Sequence, residues 1–175
     1  HYIHPLYGLD GEVLTEEFPS DHPHHCGIYW AWHQVWIGEQ RIGDAWSLRD
    51  FAWDVQDVKV IAADTHATLE AVVLWTSPLW ADDQSVRKPL VRETAAITVH
   101  RASRDMRKID FDIRLVALED GMRIGGSENA KGYGGFCARV PLPDDLQFIS
   151  SGGDVEPTTE PVEAGPWMDF SGTFG

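Results

Sequence analysis

The chain has 175 residues, 43% of them hydrophobic, which is enough for a core and too many for a disordered polymer. Its 28 acidic residues outnumber 14 basic ones, for a net charge of −14, and a surface of that sign repels phosphate backbones and anionic lipids; nucleic acid and membranes are therefore not expected partners. No run approaches the roughly 20 apolar residues of a membrane helix, so a soluble protein is expected, cytoplasmic or periplasmic.

The first 25 residues are dense in turn formers: His4-Pro5, Gly8, Asp10-Gly11, Phe18-Pro19 and His22-Pro23. Asp10-Gly11 lies between Pro5-Leu6-Tyr7 and Glu12-Val13-Leu14, which predicts a hairpin. From Gly27 to Ile37 the chain alternates, with Ile28, Trp30, Trp32, Gln34 and Trp36 on one side, and predicts a strand. Strands are also expected over Val55–Ala62, Leu69–Trp75 and Val91–Val99. In Lys108–Ala117, Ile109, Phe111, Ile113 and Leu115 face one way and Lys108, Asp110, Asp112 and Arg114 the other. Shorter candidates follow at Met122–Ile124, Gly135–Leu142 and Leu146–Ile149. The stretch Asp154–Glu163, with Pro157 and Pro161, reads as an acidic linker. Apolar spacing at helical period is missing beyond three turns. Many strands about ten residues apart predict one all-β domain over residues 1–175, an antiparallel β-sandwich. Cys26 and Cys137 are too few for a disulfide framework or a zinc knuckle; two free thiols are expected ahead of a single disulfide.

Three features point to chemistry. Six of eight histidines fall in the first 33 residues, and Asp21-His22-Pro23-His24-His25 concentrates three of them. Imidazole carries protons near neutral pH and ligates metals. In an extended segment His22 and His24 would share a side with His25 opposite, so His22 and His24 are candidate ligands for one divalent metal, completed by a carboxylate from elsewhere. Glu93 is the second feature. It shares its strand face with Val91, Ala95, Ile97 and Val99, where a carboxylate is costly unless paired. Either an ion pair with a buried arginine or a cleft-facing acid–base role accounts for it. Tryptophan is the third, with eight residues and three alternating in one strand; indole faces stack on sugar C–H surfaces and indole N–H groups reach polar partners. The candidate catalytic set is His22, His24, His25 and Glu93. Trp30, His33, Arg92 and Lys131 are candidate substrate contacts.

His4-Pro5-Leu6-Tyr7-Gly8, the Asp21–His25 run followed by Gly27, Val91-Arg92-Glu93-Thr94, Lys131-Gly132-Tyr133-Gly134-Gly135-Phe136 and Trp167-Met168-Asp169-Phe170-Ser171-Gly172 resemble a bacterial family of uncharacterised proteins labelled "methane oxygenase PmoA-like". The resemblance implies a sandwich or supersandwich of the galactose-mutarotase type and, by association, carbohydrate chemistry. Members continue with a further His/Pro/Trp-rich segment, so this chain is read as an excerpt lacking a C-terminal portion. The expected function is a carbohydrate-active enzyme, a hydrolase, lyase or epimerase with a small-molecule sugar as partner. A metal-dependent oxygenase with a cupin-like His-x-His site and a non-catalytic carbohydrate-binding module are the alternatives.

Overall fold

A computed structural model describes residues 1–156, 158 and 161–173. They form twelve strands and no helix: β1 Ile28–Trp32, β2 Gln34–Ile37, β3 Gln40–Gly43, β4 Ala52–Ala62, β5 His66–Ala81, β6 Arg87–His100, β7 Ile109–Ala117, β8 Met122–Gly125, β9 Gly134–Ala138, β10 Gln147–Ser150, β11 Gly153–Val155 and β12 Met168–Ser171. The protein is an all-β, antiparallel β-sandwich. The chain divides into two compact units, one of His1 with Ala31–Gly125 and the other of Tyr2–Trp30 with Gly126–Gly175.

In the first unit, β4-β5-β6-β7 make a four-stranded meander and β3-β2-β8 a three-stranded sheet. Their registers are antiparallel throughout. Alternation decides the faces. Val73 and Trp75 of β5 pair with Glu93 and Val91 of β6, and all four are buried. Val35, Ile42, Phe51 and Leu90 complete this core. Trp75 is wholly enclosed and touches Trp32 and Phe51 at ring-centroid distances of 5.8 and 5.4 Å; burying an indole of this kind stabilises by roughly 4–6 kcal/mol of transfer free energy. Ser77, also fully buried, donates its hydroxyl to the Ile42 carbonyl and ties β5 to β3. The edge strand β4 is less covered. Val55, Val58 and Val60, in register with Val73, Ala71 and Leu69 of β5, are 56, 54 and 68% exposed, and a bulge interrupts the ladder between Val55 and Asp57.

In the second unit, β1 pairs with β9, and β11-β10-β12 form a small antiparallel sheet. The expected hairpin around Asp10-Gly11 is present, with Tyr7 bridged to Val13 and Gly11 at φ 90° in the turn.

Three expectations are revised. The alternating run Gly27–Ile37 is two strands in different sheets, parted at His33. The run Gly135–Leu142 is strand only as far as Ala138, with Arg139 still bonded through its backbone to Gly27 and Glu16; beyond it Pro141 and Pro143 cannot donate to a ladder. The start of the acidic stretch is not linker but β11, because the Ser151-Gly152 turn folds it back on β10; Pro157, Thr159 and Glu160 of that stretch lie outside the described residues. Both cysteines are free. No helix among the described residues is long and apolar enough to cross a membrane.

Candidate functional site

Of the expected site residues, His33, Arg92 and Glu93 belong to the first unit, and His22, His24, His25, Trp30 and Lys131 to the second.

Within the second unit the three turn histidines do come together, though not as an extended segment. The His25 N–H bonds to the His22 carbonyl at 2.9 Å, closing a turn with Pro23 at its second position, where the fixed φ of proline suits a turn. The His22 and His25 rings stack at 4.8 Å and His24 meets His25 edge-on at 4.4 Å. So the three imidazoles form one cluster instead of projecting to opposite sides. Arg139 pins it. Its Nη2 donates to both Asp21 oxygens at 2.8 Å and its Nε to Glu16 at 2.7 Å, while Asp21 Oδ2 lies 2.9 Å from His22 Nδ1. The bonds from His22 and then Arg139 hold the Asp21 carboxyl well below the usual carboxylate range. His25 goes the other way from a free imidazole. Burial, then the neighbouring His24, His22 and Arg139, push it down to about 4, so it is neutral at physiological pH. Trp30 is buried and stacks on Phe136 with ring centroids 6.4 Å apart. Lys131 lies 5.9 Å from the Tyr133 ring. Among the described residues, no group of three or more His, Cys, Asp or Glu is arranged to hold a metal ion, so His22 and His24 have no third protein ligand there.

Within the first unit Glu93 is fully buried, as alternation requires, but its partner is no arginine. Oε1 lies 2.7 Å from His1 Nε2, and Oε2 accepts from the Trp75 indole at 2.8 Å. His1 packs on Trp53 at 4.9 Å. Arg92 is exposed on the opposite face of the same strand.

His33 belongs to a second carboxylate–imidazole pair, and its carboxylate, Asp44, borders a cavity. Asp44, 3% exposed, lies with Oδ2 3.0 Å from His33 Nδ1, and its Oδ1 accepts the Ser47 N–H at 2.9 Å. Burial pushes this carboxyl up, but the bonds from Ser47 and His33 outweigh it, so the group stays ionised below the ordinary carboxylate value. Arg41 and Arg49 approach the same Oδ2 at 3.5 and 3.4 Å. Asp44, Arg41 and Arg49, with Gly43, Asp50 and Leu79, line a cavity of about 190 Å³. The His33 ring stacks on Trp46 at 5.4 Å, and its side chain is 23% exposed.

The chain builds this place locally. Asp44 and Arg49 form an antiparallel bridge, and the Trp32 carbonyl accepts both the Ala45 and Trp46 N–H groups. In the exposed turn that follows, Leu48 is at φ 58° and Asp50 at φ 52°, left-handed values that a branched residue such as leucine rarely adopts. Such strain persists where surrounding bonds over-determine it, and it concentrates at functional sites. Nothing in the local pattern marked Asp44 or His1. A tight Asp-x-x-Ser turn over Asp44–Ser47 was the one available signal, since Asp side chains bond backbone two or three residues on.

Fold and site together define an antiparallel β-sandwich protein with a buried carboxylate holding an imidazole beside a guanidinium-lined cavity. The chain belongs, over residues 1–175, to a family of unknown function, DUF6807. No curated protein and no solved structure matches it.

Proposed function

We propose that the protein is a carbohydrate-active enzyme whose acid–base group is His33, held by Asp44. The observation that carries this reading is the 3.0 Å approach of His33 Nδ1 to a buried, ionised Asp44, the carboxylate that lines a cavity together with Arg41 and Arg49. A carboxylate at Nδ1 fixes the tautomer and leaves Nε2 to take or give a proton. Arg41 and Arg49 supply positive charge where an oxyanion would form, the requirement of an elimination or epimerisation next to a sugar carbonyl or carboxyl group. Trp46 holds the imidazole face. The resemblance to the PmoA-like family, with its mutarotase-type sandwich, supports a sugar as the substrate. In this reading Glu93 serves to fix His1 against Trp53.

The test is a panel of neutral and acidic sugars followed by NMR for turnover. His33→Gln is expected to lower the rate by two orders of magnitude or more, and Asp44→Asn to lower it with the pH dependence altered, both with folding retained by circular dichroism. Turnover unchanged in His33→Gln, or no turnover of any panel sugar by the intact protein, overturns the assignment.

A further inference from the structure

The outer face of the three-stranded sheet carries a second constellation. On β2, Gln34 and Trp36 point away from the buried Val35, since strand side chains alternate. Across the ladder, Arg123 of β8 stands opposite Trp36, and Gly125 opposite Gln34. These four residues and Ile124 line a cavity of about 280 Å³. Small-molecule pockets begin near roughly 300 Å³, so this is room for a single sugar ring.

Each wall has a defined part. The Trp36 Nε1–H donates to Gln34 Oε1 at 3.1 Å, which fixes the half-buried indole in its plane. The Arg123 guanidinium lies 6.0 Å from the indole centroid, at the outer range of a cation–π contact. Its Nη2 donates to the Gly38 carbonyl and lies 3.6 Å from Glu39. Among the described residues its Nε and Nη1 donors meet no partner. The side chain is 59% exposed and lines the cavity, anchored by its bond to Gly38. Gly125 is not required by its backbone: an added Cβ would meet only Gln34, at 3.8 Å or more. What the missing side chain does is leave the floor of the groove open.

We infer that this groove binds one acidic sugar unit, a uronic acid. The ring's C–H face lies along the indole, and its carboxylate accepts a charge-assisted bond from the Arg123 guanidinium. The overall charge sharpens the point. A chain at −14 repels anions at large, so an acidic ligand is held only where an arginine is fixed beside an aromatic face, and Arg123 and Trp36 are such a pair. The groove stands independently of the His33–Asp44 assignment, because it requires binding and no turnover.

The test is binding of D-glucuronate and D-glucose to the intact protein, read by calorimetry and by the Trp36 indole N–H signal in 1H–15N spectra. Glucuronate is expected to shift that signal and to bind at least about tenfold tighter than glucose. Arg123→Gln is expected to remove the advantage, about a tenfold loss for glucuronate and none for glucose. Gly125→Ala, which the backbone accepts, is expected to weaken both sugars by closing the floor. No shift of the Trp36 signal by glucuronate, equal binding of the two sugars, unchanged glucuronate affinity in Arg123→Gln, or an equal response to sulfate alone would each overturn the inference. Turnover measurements are not involved, so a failed binding test leaves the acid–base assignment separately answerable.

Discussion

Glu93→Leu is the sharpest perturbation the core offers. The carboxylate is fully enclosed and accepts two bonds, from the His1 imidazole at 2.7 Å and the Trp75 indole at 2.8 Å. Leucine nearly matches its volume, so the cavity contribution is small and the polar contribution dominates. The Trp75 N–H, itself wholly buried, is left without an acceptor, which costs roughly 1–3 kcal/mol. His1 has a 20% exposed side chain and recovers part of its loss by hydration, adding about 0.5–1 kcal/mol. The expected loss is about 3 kcal/mol, or a melting point lower by roughly 6–12 °C in a chain of this size. Glu93→Gln costs only about 1 kcal/mol, because its carbonyl still accepts from Trp75 and its NH₂ can donate to His1 Nε2, forcing the other tautomer there. The assay is urea unfolding of the two variants and of Glu93→Leu in a Trp75→Phe background. Phenylalanine has no N–H to orphan, so the leucine substitution is expected to cost about 1 kcal/mol there, a coupling of about 2 kcal/mol. Equal cost in both backgrounds, or wild-type stability in Glu93→Leu alone, would refute the account of this core.

Two further outcomes follow from the second unit. His25 is held down to about 4 by burial and by the charges of His24, His22 and Arg139; the unfolded chain, with an ordinary imidazole near 6.5, therefore binds the proton first. Stability is intact above pH 6.5 and falls as pH drops toward 4; urea midpoints of His25→Gln should decline less over that window, and parallel profiles for the two proteins would contradict the assignment. Gly27 sits at φ 58°, and an added Cβ would lie 2.1 Å from the Ile3 carbonyl. Gly27→Ala should cost about 3 kcal/mol or more, measured by thermal unfolding, and a loss below 1 kcal/mol would show that the segment around Ile3 yields freely.

β5, β6 and β7 of the large meander were legible because one face of each gathers the apolar residues. Lys108–Ala117 alternates almost without fault, and its structure is β7. Alternation also placed Glu93 on the inner face of β6. It could not name the partner, because His1 lies 92 positions away and no local rule links them. The same rule misled at His33. Period two runs unbroken through Gly27–Ile37, but the chain changes sheets there, a decision made by the Trp32 carbonyl receiving Ala45 and Trp46. Short strands such as β3 and β12 have four residues each, too few for a period to emerge from Gln-Arg-Ile-Gly or Met-Asp-Phe-Ser. The histidine cluster was visible as composition, while its stacking depends on a turn that proline permitted but did not dictate. Asp44 is hidden for a different reason. A lone acid next to a turn resembles a surface residue until its burial is seen.

The bulge in β4 has a consequence for how molecules of this protein behave at high concentration. A border strand of eleven residues with three bare valines is a template onto which another chain can add, and repeated addition is how fibrils grow. Addition needs an uninterrupted row of amide and carbonyl groups. The extra residue at Gln56 breaks that row in its middle, and Asp54, Asp57 and Lys59 put charge along the rest. The irregularity thus keeps a sticky margin from polymerising.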